Sequence, residues 1–132
     1  AQSADLADPP VAQKLRARYE DDGTPSVGIG PTVCGDEVWH GAATAGQVEK
    51  LCDDYDVDGF VTTEMEEAGT VTALDRAGLL DQYVSVRAVS NFDRAPEGGD
   101  PTESVRWLDF ETGVENAFRA GRAVVEALSD GQ

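Results

Sequence analysis

Between Gly59 and Gly69 the hydrophobic pattern changes period within a single stretch, GFVTTEMEEAG. Phe60, Val61, Thr62 and Thr63 form a β-type run of aromatic and β-branched residues. Glu64, Met65 and Glu66 then open a helical segment. A strand that feeds directly into a helix restricts a chain to folds that alternate the two. In an open α/β sheet, ligands gather where strand ends meet helix starts, so a carboxylate, a thioether and a second carboxylate at this junction mark a candidate site.

The remainder of the chain supports the alternation. Asp8-Pro9-Pro10 reads as a helix start, because a carboxylate can cap free N–H groups and proline is tolerated in a first turn. Val11, Leu15 and Tyr19 recur every fourth residue, which predicts an amphipathic helix ending near Asp21-Asp22-Gly23. Pro25 to Val33, PSVGIGPTV, reads as a short buried strand punctuated by glycine and proline. Gly28-x-Gly30 is not a dinucleotide fingerprint, since Val33 stands where a third glycine is required and no helix start follows. Cys34 to Gly41, CGDEVWHG, is expected to be a turn with an exposed aromatic, and His40, the only histidine, reads as a structural residue.

Thr44 and Gln47 have the spacing of a capping box, and Val48, Leu51, Cys52 and Tyr55 follow with helical periodicity. The next residues, Asp54-Tyr55-Asp56-Val57-Asp58-Gly59, copy the start of an EF-hand loop. Met65 occupies the twelfth position, where a bidentate glutamate is needed, so the segment reads as a solvated acidic turn and not as a calcium site. Ala68, Val71, Leu74 and Ala77 give the next helix its buried side, and Gly78 supplies a left-handed stop. Tyr83 to Val89, YVSVRAV, has the composition of a strong strand ending at Ser90-Asn91-Phe92-Asp93. Arg94 to Pro101 is a proline- and glycine-rich loop, either closing over a ligand or simply connecting elements. Trp107 to Phe110 is expected to be a short turn packing aromatics inward. Thr112 and Glu115 repeat the capping-box spacing, and Val114, Ala117, Phe118, Gly121, Val124, Val125 and Leu128 form one continuous apolar stripe.

The class expected is therefore α/β, with a mostly parallel (mixed) sheet and flanking helices, and 132 residues fit a single domain or part of one. Twenty-six acidic residues against ten basic ones give a net charge of -16, which opposes association with nucleic acid or anionic lipid. The acidity is spread along the chain and only Lys14 and Lys50 are lysines, a pattern read as a halophilic surface solvated for high salt, with an acidic mesophilic domain as the alternative. There is no apolar run of about 18 residues, so no segment reads as a membrane span. Cys34 and Cys52 are too few for a zinc motif and read as two buried free thiols, with one disulfide as the alternative. No residue set reads as a metal site, and no cofactor is implied.

Three pieces stand in order: the turn CGDEVWHG, the junction VTTEMEEAG and the strand end SVRAVSNFD. Together they resemble the second half of the nucleoside phosphorylase and nucleosidase superfamily, and within it they look most like the purine nucleoside permease family. The resemblance spans Pro25 to about Leu128. It implies the C-terminal part of a nucleoside phosphorylase-like fold around a purine nucleoside. Met65 would pack on the ribose, Glu66 would accept from its 2' and 3' hydroxyls, and Glu64 belongs to the same motif. Val38 and Trp39 match positions that line or stack on the base. Asn91 matches the residue facing the purine N7 side, an aspartate in many relatives, and is the candidate catalytic residue. Arg87 matches an arginine given a supporting role.

The superfamily's phosphate loop and phosphate-binding arginine come from its first half, and this chain has no counterpart to either. The chain is accordingly expected to be the C-terminal part of a longer protein, completed by its N-terminal half or by a partner chain, and to form a homo-oligomer. Two functions are implied. One is glycosyl transfer, phosphorolysis of 6-oxopurine nucleosides with phosphate as co-substrate; the other is nucleoside binding for transport without cleavage.

Overall fold

Helix boundaries in this chain fall where backbone preferences are strongest. In a computed structural model that describes residues 5–21, 23–58, 62–96, 99 and 109–130, α1 (Pro10–Ala17) begins on proline. β1 (Thr32–Cys34) and α2 (Ala42–Asp54) follow, then β2 (Thr62–Glu64) and α3 (Glu67–Ala77). A short 3-10 turn, Leu80–Gln82, precedes the long α4 (Phe110–Asp130). Gly78 ends α3 in the left-handed region, φ 67°, as expected of a residue without a Cβ. The chain divides into two compact units, Ile29–Ser85 and Ala1–Gly28 with Val86–Gln132.

In the first of these units β1, α2 and β2 form a βαβ element. The strands are parallel, pairing Thr32 with Thr62, Val33 with Thr63 and Cys34 with Glu64. Parallel strands require a crossover, and α2 supplies it. The core lies beneath that crossover, where Val33, Val48 and Cys52 are buried together and Trp39 packs against them. A hydroxyl pair, Thr32 Oγ1 and Thr62 Oγ1 at 2.8 Å, joins the starts of the two strands.

The α/β class holds at this level, as a mixed helix and strand chain whose sheet, among the described residues, is this parallel pair. Several boundaries differ from the sequence expectation. The strand expected over Pro25–Val33 contracts to Thr32–Cys34, with Val27 and Ile29 exposed. Prolines at 25 and 31 lack the N–H a ladder needs, and the glycines between them lack side chains to pack.

Tyr83–Val89 has no ladder partner among the described residues, although Val86, Ala88 and Ser90 are half-buried and Arg87 and Val89 exposed. The period-2 alternation persists, but a strand is completed only by a neighbour that takes its hydrogen bonds. This segment also crosses from one unit into the other at Ser85 and Val86.

Helix starts also moved. α2 opens at Ala42 after Gly41, which has φ 96°, and not at the Thr44 capping box. Asp109 caps α4, its Oδ1 accepting from the Thr112 N–H at 3.2 Å, so this helix starts ahead of the second expected box. α1 stops at Ala17 because Glu20, at φ 56°, turns the chain away. Asp8 does not cap α1; its carboxylate accepts from Arg16 Nη2 at 2.6 Å. Phe60, Val61, Trp107 and much of the 94–101 loop lie outside the described residues.

Candidate functional site

Because β1 and β2 run parallel and in register, their carboxyl ends lie side by side. Cys34 pairs with Glu64, and the Gly35 N–H donates to the Glu64 carbonyl at 3.2 Å. The CGDEVWHG turn and the EMEE junction, 30 residues apart in sequence, therefore leave the sheet from adjacent positions. Val38, Trp39, Glu64, Met65 and Glu66 all belong to this unit.

Trp39 is not the freely exposed aromatic expected from sequence. Its indole folds back over the turn and packs on Val33, Val48 and Cys52. Gly35 makes that possible, since a Cβ there would overlap Trp39 Cζ2. Trp39 Nε1 is buried without a hydrogen-bond partner among the described residues, while Val38 beside it is exposed.

The two glutamates of the Glu-Met-Glu motif do different things. Glu64 Oε2 accepts from the backbone N–H groups of Glu66 and Glu67, at 2.8 and 2.9 Å. These are free donors at the start of α3, and a carboxylate placed there also meets the positive end of the helix dipole. Glu64 is thus a capping residue. Glu66, at the N-cap position, is exposed and its carboxylate has no hydrogen-bond partner among the described residues. Met65, between them, is 40% exposed. Glu67 is held elsewhere, its Oε1 accepting from the Tyr83 hydroxyl at 2.9 Å.

Sequence reasoning missed the role of Cys34. Its Sγ accepts from the Ala68 N–H at 3.2 Å, placing the sulfur against the first turn of α3. Burial pushes the thiol above its ordinary range, and a hydrogen bond to the Glu64 carboxylate adds to the effect, outweighing the Ala68 N–H. The group is therefore a protonated thiol at neutral pH. Both cysteines are free, Cys34 half-buried and Cys52 buried. The sequence signal was the acceptor at Glu64, two and three residues before the N–H groups of Glu66 and Glu67.

Arg87 and Asn91 belong to the other unit. Asn91 is half-buried and bonded locally: its Nδ2 donates to the Phe92 carbonyl at 3.1 Å, and its Oδ1 accepts from the Ser90 hydroxyl at 3.3 Å. Phe92 in turn stacks on Tyr19, with ring centroids 3.8 Å apart, and the Tyr19 hydroxyl donates to the Arg94 carbonyl at 2.8 Å. Burial raises the Tyr19 phenol above its ordinary range. A hollow of about 420 Å³ against α1 lies in this unit, lined by Asp8, Gln13, Arg16 and Glu20, and no predicted site residue lines it.

Among the described residues, no group of three His, Cys, Asp or Glu side chains is placed to hold a metal ion. None of the described helices is long and apolar enough to cross a membrane. A family model described as purine nucleoside permease matches residues 1–131. No curated protein and no solved structure matches the chain.

Proposed function

Since the chain belongs to the purine nucleoside permease family, which matches it across residues 1–131, we propose that it binds purine nucleosides and serves their transport through that binding step. The observation that carries this reading beyond the family is the division of labour in the Glu-Met-Glu motif. Glu64 is committed to the start of α3, which leaves the exposed Glu66 carboxylate for a ligand. A carboxylate has acceptors for two vicinal hydroxyls at once, so Glu66 suits the 2' and 3' hydroxyls of a ribose, with Met65 against the sugar face. Val38 and Trp39 are assigned to the base side by the resemblance, with Val38 exposed beside the packed indole.

Asn91, which the resemblance matches to the purine edge, and Arg87, in support, belong to the other unit and are proposed from that match alone. An amide can donate to O6 and accept from a protonated N7, which favours 6-oxopurines. Asn91→Asp is expected to shift preference towards adenosine. The finer reading, phosphorolysis of 6-oxopurine nucleosides once a phosphate-binding half is supplied, uses the same ribose and base residues and would add phosphate as co-substrate.

The test is calorimetric titration of inosine and 2',3'-dideoxyinosine into wild type and Glu66→Gln. A charge-assisted hydrogen bond contributes about 1.5–3 kcal/mol, so inosine should weaken by about 10- to 100-fold and the dideoxy ligand should not change. Equal losses for both ligands would remove Glu66 from the site. Incubating the same protein with inosine, with and without phosphate, separates binding from cleavage by the release of free base.

A further inference from the structure

We propose that α4 is a self-association surface, through which two copies of this chain pair antiparallel. This rests on α4 alone and is independent of the nucleoside reading. Phe110, Val114, Phe118, Val125 and Leu128 are each 62–70% exposed. All project from one side of the helix. Thr112 and Gly113, on another side, are buried, and Asn116 there exchanges hydrogen bonds with the backbone of Ala7. α4 thus has one face packed in its own unit and a second, apolar face open to solvent.

The open face has the spacing of a coiled-coil seam. Val114, Phe118, Gly121, Val125 and Leu128 are separated by 4, 3, 4 and 3 residues, the d, a, d, a, d positions of a heptad repeat. Gly121 leaves a gap in the seam next to Phe118, bordered by Val86 Cγ1 at 4.0 Å from where a Cβ would sit. An antiparallel pair centred between Arg119 and Ala120 sets Phe118 of each copy over that gap in the other, and Val114 opposite Val125.

Charge selects the orientation and identifies the occupant. The e positions are Glu115, Arg122 and Ser129, and the g positions are Phe110, Ala117 and Val124. In an antiparallel pair e faces e, which brings Glu115 of each copy to Arg122 of the other. A parallel pair sets e against g and leaves both charges facing apolar residues. Glu115 and Arg122 are solvent-facing, and among the described residues each pairs within its helix, with Arg119 at 2.5 Å and Glu126 at 2.7 Å, so both can be shared across an interface.

The five exposed side chains amount to roughly 600 Å² per copy, at the upper end of what a monomer leaves bare. Two copies together reach roughly 1,200 Å², the lower bound of a stable interface. The net charge of -16 on each copy opposes the pairing, so the dimer should strengthen as salt is added.

Sedimentation equilibrium of the whole chain over a concentration series tests the proposal, at about 0.15 M salt where charges are still felt over about 8 Å. Wild type should dimerise and Phe118→Glu should be monomeric, with helix content by circular dichroism unchanged. Glu115→Arg and Arg122→Glu should each weaken the dimer by about tenfold or more, because two symmetric attractive pairs become repulsive. The double exchange should restore it to near wild type. A wild type that stays monomeric, a dimer indifferent to Phe118→Glu, or a double exchange no better than the single variants would overturn the antiparallel pair.

Discussion

Replacing Glu64 by alanine should cost stability, and replacing Glu66 should not. Glu64 Oε2 receives the Glu66 and Glu67 N–H groups at 2.8 and 2.9 Å. Loss of a capping side chain costs about 0.5–2 kcal/mol, and loss of a negative charge at a helix start a further 0.3–1 kcal/mol or so. Glu64 is half-buried, so water replaces these bonds only in part, and a total of about 2 kcal/mol follows for Glu64→Ala. Glu64→Gln keeps an acceptor and loses the charge, and should cost about 1 kcal/mol.

Glu66 is exposed and unpartnered among the described residues, so Glu66→Gln should stay within about 0.5 kcal/mol of wild type. Urea unfolding followed by circular dichroism gives all three values, with equal slopes confirming that the midpoints can be compared. A Glu64→Ala variant as stable as wild type, or a Glu66→Gln variant that loses as much as Glu64→Ala, would refute the division of roles. Nucleoside titration of the same proteins supplies the other half, since only the Glu66 change should discriminate ribose from dideoxyribose.

Gly35→Ala should cost about 1–3 kcal/mol, because its Cβ displaces the Trp39 indole from the core, and a red shift in tryptophan emission would report the displacement. Cys34 should react more slowly with iodoacetamide than an unperturbed thiol at pH 8, and Glu64→Gln, by removing the carboxylate that raises its pKa, should speed the reaction; no change in rate would separate the two groups. The thiol's pKa is raised on folding, so its contribution to stability is complete below the ordinary thiol range and is lost as pH rises through the folded value; in Cys34→Ser that alkaline loss should shrink. Raising salt from low to molar concentration should raise the melting temperature of a chain carrying -16, and a flat or falling trend would show that self-repulsion does not limit the fold.

What depends on near neighbours in the chain could be read from residue order. α2, α3 and α4 were legible because their apolar residues repeat at helical spacing, and Gly78 could be read as a stop because only glycine enters the left-handed region without cost. The family was legible too, from three motifs in order, and it matches residues 1–131. Strand length was not legible. Pro25 to Gly30 and Tyr83 to Val89 have strand composition, but a ladder needs a partner, and partners are assigned by tertiary pairing. Capping was misread for a related reason: Thr44 and Thr112 have the right spacing, yet Gly41 and Asp109 stand ahead of them at helices that start earlier.

Tertiary structure alone decided which side of an apolar stripe is covered. The period of α4 predicts a helix with one apolar side, but Phe118 and Val125 lie exposed while Gly113 is buried, because burial depends on what the rest of the unit brings to the helix. It also decided what the two glutamates at the strand end do. Glu64 and Glu66 are chemically identical and two residues apart, and sequence assigned both to the ligand. The turn after β2 aims Glu64 back at the N–H groups of Glu66 and Glu67 and leaves Glu66 in solvent, a distinction of backbone direction that composition and spacing do not carry.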